Sequence, residues 1–243
     1  MSMDTWAGGP GGDGRRPVSC SMTPERFRRL KWILARRQHD LTVLMDRVHK
    51  PHNFSAVVRT CDAVGVRRAH IVPAPDYRAG ARTRSRTAMG ASRYVPVVRH
   101  ASLGGALEEL RAQGMQVVAA HPSRDSADFR AIDYTAPTAI LVGTELEGLS
   151  DAALEAADRR IAVPMEGAVA SLNVSVAAAV VLFEAQRQRS EAGMYETSLP
   201  DTEEIRQTLF EWAYPRIADL CRRRGVPYPE LDHDGAIAGP VPR

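Results

Sequence analysis

Cysteine is scarce in this chain of 243 residues. Cys20, Cys61 and Cys221 lie far apart, are odd in number and form no C-x-x-C pair. That argues against a disulfide framework and against a structural zinc cluster. It fits a reducing compartment, so the cytoplasm is the expected location. No run of 18 apolar residues occurs, and no membrane-spanning helix is expected. After Trp6 the chain reads Ala-Gly-Gly-Pro-Gly-Gly-Asp-Gly where a secretory leader would carry an apolar stretch, so no signal peptide is expected. The G-x-x-x-x-G-K-[ST] phosphate loop is missing, and no G-x-G-x-x-G follows a strand and opens a helix. Nucleoside triphosphate binding and dinucleotide-dependent oxidoreduction lose their usual signatures. What remains is 44% hydrophobic and 25% charged, which places the chain among globular proteins rather than disordered or collagen-like ones.

Charge of one sign is also in short supply, but only in the sum. Lys and Arg number 32 against 29 Asp and Glu, for a formal net charge of +3. By position the charge is uneven. Residues 24–37 hold Arg26, Arg28, Arg29, Lys31, Arg36 and Arg37 against the single acid Glu25. Arg78, Arg82, Arg84, Arg86 and Arg93 form a second cluster free of acids, and Arg222, Arg223 and Arg224 a third. Each cluster reads either as a solvated surface or as a set of phosphate contacts.

The pattern of elements is α/β. Residues 1–22, rich in Gly, Pro and Ser, read as a disordered lead. A basic helix follows over 23–40, with Thr23 as N-cap and Pro24 in the first turn. Apolar runs at 41–45, 69–72, 94–98, 115–120, 138–142 and 161–164 read as strands. Helical patterns lie between them at 53–64, 103–112 and 151–157, and a long helix spans 173–191. Strands separated by helices predict a parallel sheet. The main domain is expected over 41–195, a helical extension with one last helix at 203–224 over 196–230, and a tail over 231–243.

Three segments combine glycine, polar residues and strand or helix ends. The first runs Asn53-Phe-Ser-Ala-Val-Val-Arg59-Thr-Cys-Asp62. Asn53 stands where the helix starts. Arg59, among apolar residues, needs a partner, because an unpaired buried charge is expensive. A structural ion pair with Asp62 and a functional role both remain open. The second runs Ile140-Leu-Val-Gly143-Thr-Glu145-Leu-Glu147-Gly148-Leu-Ser150. It is a buried strand entering an acidic loop whose glycines permit tight turns and close approach of a ligand. Acid at a strand end suits a ribose hydroxyl, an amine or a sulfonium. The third, Val163-Pro-Met165 through Ser171-Leu172-Asn173 into an Ala- and Val-rich helix, joins a strand to a helix through small residues. Ser171 and Asn173 suit helix capping equally well.

In order, these segments resemble the three motifs of the SpoU branch of the SPOUT methyltransferases. Ala35-Arg-Arg-Gln-His-Asp-Leu-Thr-Val, Val48-His-Lys-Pro-His-Asn, Phe129-Arg-Ala-Ile-Asp-Tyr-Thr and Glu184-Ala-Gln-Arg-Gln-Arg extend the resemblance towards the members that methylate guanosine 18 of tRNA. It covers about residues 24 to 230. Phe54, where the family carries a smaller apolar residue, and Cys61, where alanine is common, depart from the pattern.

The resemblance implies an α/β parallel sheet whose C-terminal part forms a deep trefoil knot, flanked by N- and C-terminal helices. It implies S-adenosyl-L-methionine as cofactor, contacted by Ala120, Gly143, Val163, Met165 and Leu172. It implies Arg59 as the central catalytic residue, with Asn53, Glu145, Ser171 and Asn173 organising the site and no metal. The substrate implied is tRNA, held through Arg26, Arg29, Arg37, Arg187 and Arg189, and the assembly implied is a homodimer. Three other readings compete: a ribosomal-RNA ribose methyltransferase of the same superfamily, a non-catalytic RNA-binding protein with this fold, and an oxidoreductase. The basic helix directly before the first motif favours tRNA.

Overall fold

The computed structural model describes residues 22–74, 93–144 and 148–241. Residues 1–21 of the lead, Arg78 to Arg86 and Glu145 lie outside the described residues, while Met22 is buried in a core. Helix α1 spans Pro24–Ala35, and its Thr23 cap accepts from the Arg26 amide at 3.2 Å. Strand β1 (Leu41–Asp46) is followed by α2 (Pro51–Ala63), β2 (Ala69–Val72), β3 (Val97–Arg99), α3 (Leu103–Ala112) and β4 (Gln116–Ala120). Then come a short β5 (Ala127–Asp128), a 3-10 turn at Phe129–Ala131, β6 (Thr138–Val142), α4 (Asp151–Glu155), β7 (Arg159–Ala162) and α5 (Val174–Glu191). Helices α6 (Glu203–Ala213) and α7 (Pro215–Arg224) and the hairpin strands β8 (Glu230–Leu231) and β9 (Ile237–Ala238) complete the described chain.

The sheet has the order β3-β2-β1-β6-β4-β7-β5, and every pairing within it is parallel. Its central strands are apolar on both faces, as a sheet covered on both sides requires. Strand alternation sorts them. Val43, Met45, Ile140 and Val142 join α2 and α5 in one core, through Val57, Val58, Cys61, Ala178, Val181 and Leu182. Leu44, Ala139 and Leu141 join α3 and α4 in the other, through Ala106, Leu107, Leu110 and Ala153. Fully burying a Leu or Ile side chain stabilises by about 1.5–3 kcal/mol, so these two layers supply the main driving force. A third core joins the ends of the chain: Phe27, Leu30 and Leu34 of α1 against Ile205, Leu209 and Trp212 of α6.

Several boundaries differ from the sequence expectation, each for a local reason. Helix α2 starts at Pro51, not Asn53, because the ring of a proline presets the first-turn backbone. Strand β3 starts after Pro96, whose nitrogen has no hydrogen to give a ladder. The expected single last helix breaks at Tyr214, since Pro215 cannot continue the ladder and instead opens α7. The expected tail contains the β8–β9 hairpin, which lies across α1. A Cβ on Gly235 (φ +83°) would fall 2.3 Å from the Phe27 ring, and the Tyr214 hydroxyl donates to the Gly235 carbonyl at 2.8 Å.

Candidate active site

In an open parallel sheet, ligands bind outside the carboxyl ends of the strands. Here that edge carries a pocket of about 270 Å³. Ala120 comes from the end of β4, Gly143 from the end of β6, and Val163 and Met165 from the segment after β7. Ser171 and Leu172 precede α5, and Val174, Ala177 and Val181 of α5 form an apolar floor. All five residues named for the cofactor, with Ser171, are thus brought round one cavity. His121, Thr144 and Gly148 line it as well. Gly148 belongs to the glycines expected to let a ligand approach, whereas His121 and Thr144 carry no signal of their own beyond standing next to Ala120 and Gly143.

The second motif owes its shape to backbone proximity. Thr144 and Gly148 exchange two backbone hydrogen bonds, of 2.9 and 3.1 Å, closing the loop that holds residues 145–147. Gly148 adopts φ +67°, a conformation glycine takes without penalty. Gly143 faces this closure so closely that a Cβ would lie 2.1 Å from the Gly148 carbonyl oxygen. Any side chain there would force the Thr144–Gly148 closure apart. At the neighbouring end of β1, buried Asp46 accepts from the Ser150 hydroxyl at 3.3 Å and lies 3.6 Å from Arg47 Nε. Arg47 has φ +56°, uncommon for a residue other than glycine.

Asn53 and Asn173 meet. The Asn173 amide donates to Asn53 Oδ1 at 3.2 Å, linking the first turn of α2 to the N-cap of α5. Asn173 also accepts from the Ser175 amide at 2.8 Å and the Ser175 hydroxyl at 2.6 Å. Asn173 thus caps α5 and ties it to α2, while neither asparagine is among the residues lining the pocket. Asn53 is buried and does not cap α2, whose N-cap Lys50 makes no side-chain cap bond. Phe54 packs against the main core, away from the pocket lining.

Arg59 lies elsewhere on α2. It is exposed, on a stripe with His52, Ala56 and Ala63 that points away from the core. Six residues of helix carry it about 9 Å along the axis from Asn53. It does not pair with Asp62, which instead accepts from buried Arg37. Arg59 makes no ion pair among the described residues. Cys61 on the same helix is buried, and burial pushes its thiol up to about 12, which leaves it an inert core residue rather than a nucleophile.

Two of the five arginines expected to hold RNA are internal, which corrects that expectation. Arg37 is buried, donates to the Val66 carbonyl at 3.1 Å and stands over the Trp212 ring at 5.5 Å. Arg189 is 0% exposed. Its guanidinium reaches the Tyr134 carbonyl at 2.8 Å, Gln38 Oε1 at 3.0 Å and Asp40 Oδ1 at 2.5 Å. Neither side chain is available to a phosphate at the surface. Both are staples between distant segments, and charge clusters in a sequence do not separate such staples from surface cations. Arg29 and Arg187 are exposed and Arg26 is half-buried. Arg187 is held between Glu184 and Glu191, both at 2.7 Å, and this pairing draws the Glu184 carboxyl down to about 2. Arg93 donates to the Trp212 carbonyl. Among the described residues no group of His, Cys, Asp and Glu is arranged to hold a metal ion, and no helix is long and apolar enough to cross a membrane.

Known proteins resemble this chain over most of its length. The SpoU rRNA Methylase family matches residues 40–183, and the C-terminal region of SpoU rRNA methylases matches residues 187–240. The tRNA (guanosine(18)-2′-O)-methyltransferase of Escherichia coli K12 is 50% identical over 219 residues, 89% of this chain and 94% of that protein. The crystal structure of the A. aeolicus TrmH/SpoU tRNA modifying enzyme superposes with a TM-score of 0.72 at 43% identity, covering 79% of this chain and 96% of that one. The SpoU methyltransferase AviRb from Streptomyces viridochromogenes, solved in complex with the cofactor AdoMet, superposes with a TM-score of 0.56 at 31% identity over 63% of this chain and 62% of that one. With a pocket at the carboxyl edge of a parallel sheet and matches that span the motifs and both flanking regions, this chain belongs to the SpoU methylase family.

Proposed function

We propose that this chain transfers a methyl group from S-adenosylmethionine to the ribose 2′-hydroxyl of guanosine 18 in the D-loop of tRNA. The observation that carries the reading is the pocket. Ala120, Gly143, Val163, Met165 and Leu172 converge on it, and the bare backbone of Gly143 lets the Gly148 backbone close against the strand end. Backbone groups at strand ends and an apolar floor fit a purine nucleoside with a short charged arm. The 50% identity to a tRNA (guanosine(18)-2′-O)-methyltransferase over nearly the whole chain supports the substrate. Bound there, S-adenosylmethionine would supply an electrophilic methyl group to the ribose oxygen, with S-adenosylhomocysteine as the leaving group and the hydroxyl proton passing to solvent. Asn53 and Asn173 hold the wall between α2 and α5 in one orientation. An arginine stays cationic in proteins, so Arg59 acts by stabilising the negative charge that develops on the attacking oxygen. Ser171 adds a hydroxyl to the lining, and the resemblance assigns Glu145 to the same site.

The same reading includes a homodimer. Val176 and Phe183, 46% and 52% exposed, stand two turns apart on α5, which packs beside α2. Burying this face against a second copy would remove apolar surface from water and bring Arg59 to the junction between protomers. A deep trefoil path for the C-terminal part accords with the convergence of the segments after β4, β6 and β7 on one pocket. Arg26, Arg29 and Arg187 remain the phosphate contacts, and a tRNA substrate implies a cytoplasmic enzyme.

A ribosomal-RNA substrate is the second reading, and the matching family's own description favours it. Incubation with labelled S-adenosylmethionine and either unmodified tRNA or ribosomal-RNA fragments separates the two. Label in tRNA at the ribose of position 18 is the expected result. Label in ribosomal RNA alone would select the second.

A further inference from the structure

Trp32 is a large aromatic residue turned outward. It is 58% exposed, on a helix whose Phe27, Leu30 and Leu34 are buried. It has one close companion. The Arg36 guanidinium lies over the indole ring, 4.0 Å from its centroid, and donates to the Trp32 carbonyl at 3.4 Å. Trp32 and Arg36 line a groove of about 380 Å³ together with residues 62–65, Gln186, Ser190 and Tyr195, and its one acid, Asp62, is already paired with Arg37. Arg29 is three residues before Trp32, so it shares that side of the helix. It is exposed and makes no ion pair among the described residues.

We propose that Trp32 is a stacking platform for one unpaired base of the RNA, with Arg29 and Arg36 taking the phosphates beside it. The proposal rests on the RNA substrate argued above and adds a contact that reads shape rather than charge. Splayed bases in single-stranded loops stack on aromatic rings and on guanidinium planes, and Trp32 with Arg36 offers both. The flanking charge decides the class of partner. Trp and Arg are both common in protein–protein interfaces, but Trp32 is the one large exposed hydrophobic of its helix and stands beside exposed Arg29 and half-buried Arg36, a setting that suits a polyanion. The apolar Val176 and Phe183 face suits a second copy far better. The polar amide and hydroxyl of Gln186 and Ser190 give the groove groups able to reach the edge of a base.

The test compares wild type, Trp32→Ala and Trp32→Phe in binding to an unmodified tRNA transcript and to a single-stranded RNA oligonucleotide. Sedimentation and thermal unfolding are followed in parallel. The platform predicts that Trp32→Ala weakens tRNA binding by on the order of tenfold, the effect of removing one stacked base, with an unchanged salt slope. Trp32→Phe, which keeps a ring, should recover most of the loss. Arg29→Ala should instead reduce the salt slope by about 0.7–0.9, the share of one phosphate contact. Equal tRNA affinity for Trp32→Ala and wild type would overturn the proposal. So would a loss that tracks a change in sedimenting mass, which would assign Trp32 to a contact between protomers. If wild type methylates no tRNA while Trp32→Ala still weakens oligonucleotide binding, the platform stands and the substrate reading fails. If wild type methylates tRNA and Trp32→Ala binds it normally, only the platform fails.

Discussion

At the scale of single residues the fold sets three positions apart. Arg59 has no structural partner among the described residues, so replacing it leaves no buried charge uncompensated. Arg59→Ala should therefore lower the methyl-transfer rate by about a hundredfold or more, the scale of losing one stabiliser of developing charge. It should leave S-adenosylmethionine affinity, read by calorimetry, within a few-fold of wild type. A rate near wild type would remove Arg59 from the chemistry. Arg189 is the reverse case. Its bonds to Tyr134, Gln38 and Asp40 tie α5 to the start of β1 and to the approach of β6. Arg189→Ala should cost about 3–5 kcal/mol, visible as a lower urea midpoint, and Arg189→Lys should recover little because a single ammonium cannot reach all three partners. Gly143→Ala places a methyl 2.1 Å from the Gly148 carbonyl. The closure must open, at a cost of about 1–3 kcal/mol, and S-adenosylmethionine affinity should fall with it.

At the scale of elements, the sequence made the sheet legible and left some of its surroundings hidden. Residues 69–72, 103–112 and 138–142 were read with the bounds they have. Their apolar spacing and the Ser102 cap are local signals, which need no knowledge of the rest of the chain. The short β5 was missed because Ala127 and Asp128 pair only through backbone and carry no apolar alternation. The break at Pro215 is itself a local signal, since proline cannot continue the helical ladder, and the single helix expected over 203–224 does not allow for it. The candidate site was legible in its residue types, but the Asn53–Asn173 contact, 120 residues apart, exists only once α2 and α5 pack together. The internal destinations of Arg37 and Arg189 depend on tertiary partners in the same way. One element pair also carries a pH dependence. His70 on β2 lies against His100, with Nδ1 2.8 Å from Nε2 and the rings stacked, while Glu109 faces His100 and Arg68 adjoins His70. Burial, then His100, lowers the His70 ring to about 4. Its ordinary value is 6.5, so the unfolded chain takes up a proton that the folded chain refuses. Stability from this site is full above pH 6.5 and is lost as pH falls towards 4, at up to about 1.4 kcal/mol per unit. Urea midpoints measured at pH 7 and pH 5 should separate in wild type and draw together in His70→Phe.

At the scale of the whole molecule, the formal charge of +3 conceals a division of labour. Some arginines are spent inside, as Arg37 and Arg189 are. Others are matched by neighbours, as Arg187 is by Glu184 and Glu191. Those left facing solvent, Arg29 and Arg59 among them, set what a polyanion meets. RNA binding should accordingly weaken with rising salt, in proportion to the number of phosphates engaged. The measurement that tests the central claim most directly is methyl transfer from labelled S-adenosylmethionine to an unmodified tRNA transcript, followed by mapping of the methylated ribose. The account predicts label at the 2′-oxygen of guanosine 18, and its loss when position 18 is changed to 2′-deoxyguanosine. Label at any other ribose, or none in tRNA at all, would contradict it.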